Sequence, residues 1–218
     1  MGFGGSDRPA IVLLPPLFDE ANRMRRTLVL TMRALAQAGH NCLLPDLPGQ
    51  GDSMLPTRDA TLPLWREALA DLAASEPGPL LVASWRGGAL IDDAAAHAVG
   101  WWRMAPLAGA SIVRTMMRTR IAGDKEAGRQ TSVDQLRSLA ALGPIELAGH
   151  SLSAEMIDAL EQATPAPLSR LRSVTVGQGE GQIAGSALWL RAEPGEDAAM
   201  ALAMAKDISA WSIACAAG

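Results

Sequence analysis

Four short apolar runs, each stopped by turn residues and separated by segments of helical spacing, constrain this chain more than any other feature. "AIVLL" at 10–14 halts at Pro15-Pro16, and "NCLLP" at 41–45 runs into "DLPGQGDSMLP". "GPLLVAS" follows at 78–84 and "GWWRMAP" at 100–106. Unbroken apolar runs of this length read as strands buried on both faces. Between the first two, residues 20–38 carry Met24, Leu28, Met32 and Leu35 at helical spacing and end at Gly39, a C-terminal stop. Residues 62–74 read as a second helix and "GGALIDDAAAHAV" at 87–99 as a third. Strands alternating with helices in this way form parallel βαβ units with right-handed crossovers.

The second half changes character. Residues 108–163 are helical and rich in Met and Arg, with one strand-like interruption, "IELAG". The earlier pattern resumes with "LRSVTVG", a short "SALWLRA" and a last helix over 196–214. The expected fold is therefore α/β, one domain over 1–218, with strands at 10–14, 41–45, 79–84, 100–105 and 171–177. Its mainly parallel central sheet has about six strands. A helical cap insertion spans 108–163, and no antiparallel strands open the chain.

Composition narrows the function. The 218 residues are 49% hydrophobic and 19% charged with a net charge of -4, so no basic footprint for nucleic acid is present. The arginines of "RMRRT" and "RTMMRTR" read as solvated helix faces. Two cysteines, Cys42 and Cys215, make neither a disulfide framework nor a metal-ligand spacing. No metal or cofactor is expected, and a reduced, cytoplasmic compartment is. No apolar run reaches the length of a membrane span.

Two stretches suggest the strand–turn–helix elbow that presents a nucleophilic serine. The first is "LAGHSLSAE" at 147–155, centred on Ser151. Such a serine needs an acid and then a histidine downstream, yet the three histidines, His40, His97 and His150, all precede it. Ser151 or Ser153 fits better as the N-cap of the helix that follows. The second is "LLVASWRGG" at 80–88, placed after "PDLPGQGDS". The order strand, Pro-Pro loop, helix, strand and "PDLPGQGDS" resembles the α/β-hydrolase fold, which puts this second stretch at the elbow.

That resemblance implies an elbow of the form small-x-nucleophile-x-small-small. Anchored on Gly87-Gly88, it puts Ala83 at the first small position and Trp85 in the nucleophile slot. Ser84 lies one residue earlier, where its side chain points to the other side of the strand; a buried serine satisfied by the backbone is the weightier reading. The histidine slot falls near Trp189, and Glu180 is the carboxylate after the preceding strand.

"PPLFDEANRMRR", "LLPDLPGQGDS", the Arg86–Leu90 turn, "PIELAGHSLSAEM" and "LWLRAEPGED" together resemble the group called exosortase A system-associated hydrolase 2. The resemblance runs from about residue 11 to the C-terminus, and the Pro-Pro loop is its most specific part. It implies an α/β-hydrolase-like protein encoded beside bacterial exosortase and exopolysaccharide genes. It also implies an elbow of the type Gly-Leu-Arg-Leu-Gly, without a nucleophile, whose central Leu-Arg is matched by Trp85-Arg86. The expected partner is an unidentified small molecule or an exopolysaccharide- or exosortase-system protein. The alternative is an active serine hydrolase or acyl transferase using Ser84 or Ser151.

Within this scheme the Pro-Pro loop passes beside the elbow and brings Pro16, Leu17, Asp19, Glu20, Asn22, Arg25 and Arg26 to it. Arg86 has two readings. With Gly87 and Gly88 at a helix N-terminus it forms an anion site, or it pairs internally with Glu20 or Asp19. Asp46, Gln50, Asp52 and Ser53 are explained by turn chemistry and given no catalytic role.

Overall fold

The computed structural model describes residues 1–3 and 9–216, and in it the apolar runs lie side by side. The first half of the chain gives β1 (Gly2–Phe3), β2 (Ala10–Leu14), α1 (Asp19–Gln37) and β3 (Cys42–Leu43). It continues with α2 (Leu62–Ser75), β4 (Leu80–Trp85) and β5 (Ala98–Met104). The cap follows as α3 (Gly109–Glu126), α4 (Val133–Ala140), β6 (Ile145–Leu147), β7 (His150–Leu152) and α5 (Ala154–Gln162). The chain then returns through β8 (Leu171–Val176), β9 (Gln182–Ile183) and α6 (Ala198–Ala216).

The sheet has the order β1-β3-β2-β4-β5-β8-β9. Strands β2 to β5, β8 and β9 are parallel, as expected, while β1 pairs antiparallel with β3. That short strand corrects the expectation of none at the start. It occupies the N–H and C=O groups along the edge of β3, and Leu44 N adds a bond to Met1 O at 2.9 Å.

Strand alternation divides the core. Ile11, Leu13, Leu81, Ala83, Trp85, Trp102 and Met104 pack with Met24, Leu28 and Met32 of α1 and Met200, Met204 and Ile208 of α6. Val12, Leu14, Leu80 and Val82 pack instead with Trp65 and Leu69 of α2, and with cap residues such as Ile112, Met116, Leu147 and Leu160. Cap and sheet thus share one continuous core. Each such large side chain, fully buried, contributes about 1.5–3 kcal/mol. By length and composition Ala198–Cys215 is apolar enough to cross a bilayer; in this fold it covers one face of the sheet.

Two expected elements differ. Residues 87–99 form no α-helix, only 3-10 turns at Arg86–Leu90 and Asp92–Ala94. Asp92 is drawn off a helical path because its carboxylate meets Ser84 and Arg103, while its carbonyl accepts from Trp101 Nε1 at 3.0 Å. "SALWLRA" is also no strand but a 3-10 turn, Leu188–Leu190, and the edge of the sheet is Gln182–Ile183.

Candidate functional site

The elbow follows β4 directly. Trp85 keeps extended backbone, φ -118 and ψ 132, as the last residue of the strand. Arg86 takes φ 54, a left-handed value that a residue with a Cβ adopts only under strain. A Cβ on Gly88 would stand 2.6 Å from Pro15 O and 2.8 Å from Leu14 O, so the turn closes against β2 only because that position is glycine. The strained residue is thus Arg86, and the small pair that follows it is Gly88-Ala89. The strain therefore sits at Arg86, one residue beyond the Trp85 that the anchoring on Gly87-Gly88 singled out.

Trp85 is core. It is fully buried, its Nε1 donates to Met204 Sδ at 3.2 Å, and its ring lies 5.2 Å from that of Trp102. Arg86 is claimed from two sides. Its Nε and Nη2 donate to Glu20 Oε2 and Oε1 at 3.1 and 3.2 Å, and its guanidinium carbon stands 4.9 Å over the ring of Trp189. Nη1 adds a bond to Ala105 O at 3.3 Å. The pairing reading therefore holds for Glu20, while Asp19 pairs with Arg23 one turn along the same helix. The anion reading loses its basis, since the guanidinium is occupied and only a five-residue 3-10 turn follows it.

Trp189 is held in turn by Arg23, whose Nη1 donates to its carbonyl at 2.8 Å. Arg26 pairs with Glu196 and Arg25 with Asp46, both bonds lying on the solvated face expected of these arginines. Beside this network lies a small cleft of about 150 Å³, bounded by Leu17, Glu20, Ile112, Met116 and Trp189.

These geometries can be set beside known structures. No protein-family profile and no curated protein matches the chain in sequence. In structure it is similar to alpha/beta hydrolase domain-containing protein 10 from mouse, at 16% identity and a TM-score of 0.62, over 96% of this chain and 91% of that one. It is likewise similar to Est1E from Butyrivibrio proteoclasticus with ferulic acid bound, at 14% identity and a TM-score of 0.61, over 98% and 95% of the two chains. The chain has the α/β-hydrolase fold.

On that hydrolase fold the two candidate serines stand apart from the elbow's strained residue. Ser84 is fully buried on the opposite face of β4 from Trp85. Its Oγ donates to Asp92 Oδ2 at 2.7 Å, so its partner is a carboxylate rather than the backbone. Arg103 holds the same carboxylate with two bonds of 2.8 and 2.7 Å. Burial pushes the Asp92 carboxyl up, and the bonds from Arg103 and Ser84 pull it back. Ser151 lies in β7 opposite Glu146, not at a helix start; the N-cap of α5 is Ser153, whose Oγ accepts from Met156 N at 3.2 Å.

The histidines are equally dispersed. His40 Nε2 bonds Ser209 Oγ at 2.8 Å on the α6 side of the sheet. The His150 ring meets Phe18 edge-on at 5.4 Å, and burial lowers its pKa. Glu180 is exposed. Cys42 is a buried thiol whose pKa is pushed up to about 12 by desolvation, which removes it as a nucleophile.

A second, larger cavity was not anticipated. It measures about 360 Å³ and lies between the first turns of α1 and the turn after β3. Phe18, Asn22, Arg25, Asp46, Gln50 and His150 are among its lining residues. Gln50 Oε1 accepts from the backbone N of Phe18 at 3.3 Å, bracing a residue with φ 58 and ψ -132. Gln50 stands between Gly49 and Gly51, both at positive φ, and a Cβ on Gly51 would collide with the Asp46 carboxylate.

Proposed function

We propose that this chain is a non-hydrolytic member of the hydrolase fold, of the exosortase A system-associated hydrolase 2 type. It serves an exopolysaccharide or protein-sorting system by binding a ligand or partner, in a reducing, cytoplasmic compartment. The observation that carries the reading is the strained elbow residue being Arg86, held by both Glu20 oxygens. A guanidinium stays protonated at any working pH and offers no lone pair for attack. Trp189, over its face, carries one N–H donor and no basic nitrogen, so it relays no proton. The Arg86–Glu20–Trp189 arrangement locks the Pro-Pro loop to the elbow instead of activating a nucleophile. Motifs at 15–26, 43–53 and 188–197 support the exosortase-linked type.

The competing reading, a serine hydrolase or acyl transferase using Ser84 or Ser151, takes support from the hydrolase names of similar structures. Against it stand the bond from Ser84 to a buried, arginine-paired carboxylate and the place of Ser151 in a cap hairpin. Hydrolysis of p-nitrophenyl acetate and butyrate by the purified chain tests the proposal. The expected rate equals the protein-free background; turnover that falls in Ser84→Ala or Ser151→Ala would overturn it.

A further inference from the structure

We infer that the cleft of about 150 Å³ beside Trp189 holds a short, unbranched hydrocarbon tail of a neutral ligand. The inference rests on the binding role proposed above and names the chemistry of the ligand. It starts from the polar side chains of the lining, each of which already has a partner within the protein. Asp19 pairs with Arg23, which also donates to Trp189 O, and both Glu20 oxygens accept from Arg86. Thr115 Oγ donates to Ser111 O at 2.9 Å and Thr119 Oγ to Thr115 O at 3.1 Å, so both hydroxyl protons are spent on their own helix. An incoming phosphate, carboxylate or ammonium meets only matched charges, and its desolvation goes uncompensated.

The rest of the lining is hydrocarbon. Leu17 of the Pro-Pro loop, Leu107, Ile112 and Met116 at the entry to the cap, and Ala148 of the cap hairpin converge on the cleft. Leu190 borders it with 74% of its surface in solvent, an apolar side chain that folding leaves uncovered. A ring ligand has little to stack on. The Arg86 guanidinium lies over Trp189, which is itself buried, and Phe18 already meets Trp65 and His150. The volume lies below the usual range for a whole ligand, about 300–1,000 Å³, so the cleft takes one tail while the rest of the molecule stays outside. Met116, unbranched and polarisable, adapts to such a tail more readily than a branched side chain. Burial against these walls strengthens binding with each methylene until the cleft is full.

The test uses the whole chain with n-butanol, n-hexanol and n-octanol, with a hexanediol bearing a hydroxyl at each end and inorganic phosphate run in parallel. Binding is read by saturation-transfer NMR. The alcohols bind saturably, and affinity rises about threefold to fourfold per methylene before it levels off. The diol binds about tenfold more weakly than n-hexanol, because its second hydroxyl meets no free partner in the cleft. Phosphate displaces none of them. Thr115→Trp fills the cleft and abolishes binding, while Leu190→Asp places a charge beside it and weakens binding about tenfold. Both positions are exposed, so the variants keep the parent fold, checked by circular dichroism. No saturable binding, affinity independent of chain length, a diol as tight as n-hexanol, displacement by phosphate, or unchanged binding in both variants overturns the inference. So does self-association that Leu190→Asp abolishes in a chain that binds no alcohol, since a second copy then covers the cleft. If alcohol binding fails while ester turnover stays at background, the ligand class falls and the non-hydrolytic reading stands.

Discussion

Arg86 shows how one side chain redirects a turn's chemistry. The turn after β4 has a positive φ at Arg86 and a glycine against β2, and the residue it presents is a cation already bonded to Glu20. Arg86→Ala leaves Glu20 partly buried without its partner and is expected to cost about 1–3 kcal/mol in chemical denaturation. On the other face of the strand, Ser84→Ala removes a donor from the buried Asp92 carboxylate and is expected to cost about 1–2 kcal/mol. Asp92→Ala is expected to cost more, about 3–5 kcal/mol, because Arg103 would remain buried and unpaired. The residue types at the elbow were legible in the sequence, but their register was not. Gly87, Gly88 and Ala89 are all small, so spacing alone admits two anchorings, and only the backbone conformation of Arg86 separates them. Ser84 was legible as buried; its carboxylate partner lies eight residues on, inside a segment with apparent helical periodicity.

At the scale of elements, strands and long helices could be read because their apolar periods are strong, and α1 differs from its expected range by a single residue at each end. The segment after β4 failed for a tertiary reason: Asp92 and Asp93 are spent on Arg103 and Arg66, which leaves 3-10 turns where alanines favour a helix. In the cap, the two-residue Ala148-Gly149 turn, φ 49 and 80, makes His150–Leu152 the return strand of a hairpin. Of the two serines expected as the helix cap, Ser153 therefore takes the position. Ser153→Ala is expected to cost about 1 kcal/mol in thermal or chemical unfolding. Ser151→Ala should lie within about 0.5 kcal/mol of the parent. The Gln50 cavity was missed because its walls come from the start of α1, the segment after β3 and His150 of the cap hairpin, which lie far apart in the chain, and the polar residues after β3 were each explained by local turn chemistry.

For the whole molecule, two ion-paired carboxylates shape the response to acid. Asp124 is held at about 2 by bonds from Arg129, Thr131 and Arg120, and the bidentate bond from Arg66 lowers Asp93. Both carboxyls ionise more readily folded than unfolded. Their stabilisation is therefore complete above the unfolded value of about 4 and is lost as pH falls toward the folded values. Asp92, raised by burial, acts in the opposite sense as pH rises above that same unfolded value. The melting temperature should fall between about pH 4 and pH 2, and Asp124→Asn should flatten that fall in differential scanning calorimetry. The proposal that the turn after β4 carries a locked arginine and that the chain has no serine nucleophile is tested most directly by intact-protein mass spectrometry after exposure to a fluorophosphonate. The account predicts an unchanged mass after prolonged incubation; a single stoichiometric adduct that disappears in Ser84→Ala or Ser151→Ala would contradict it.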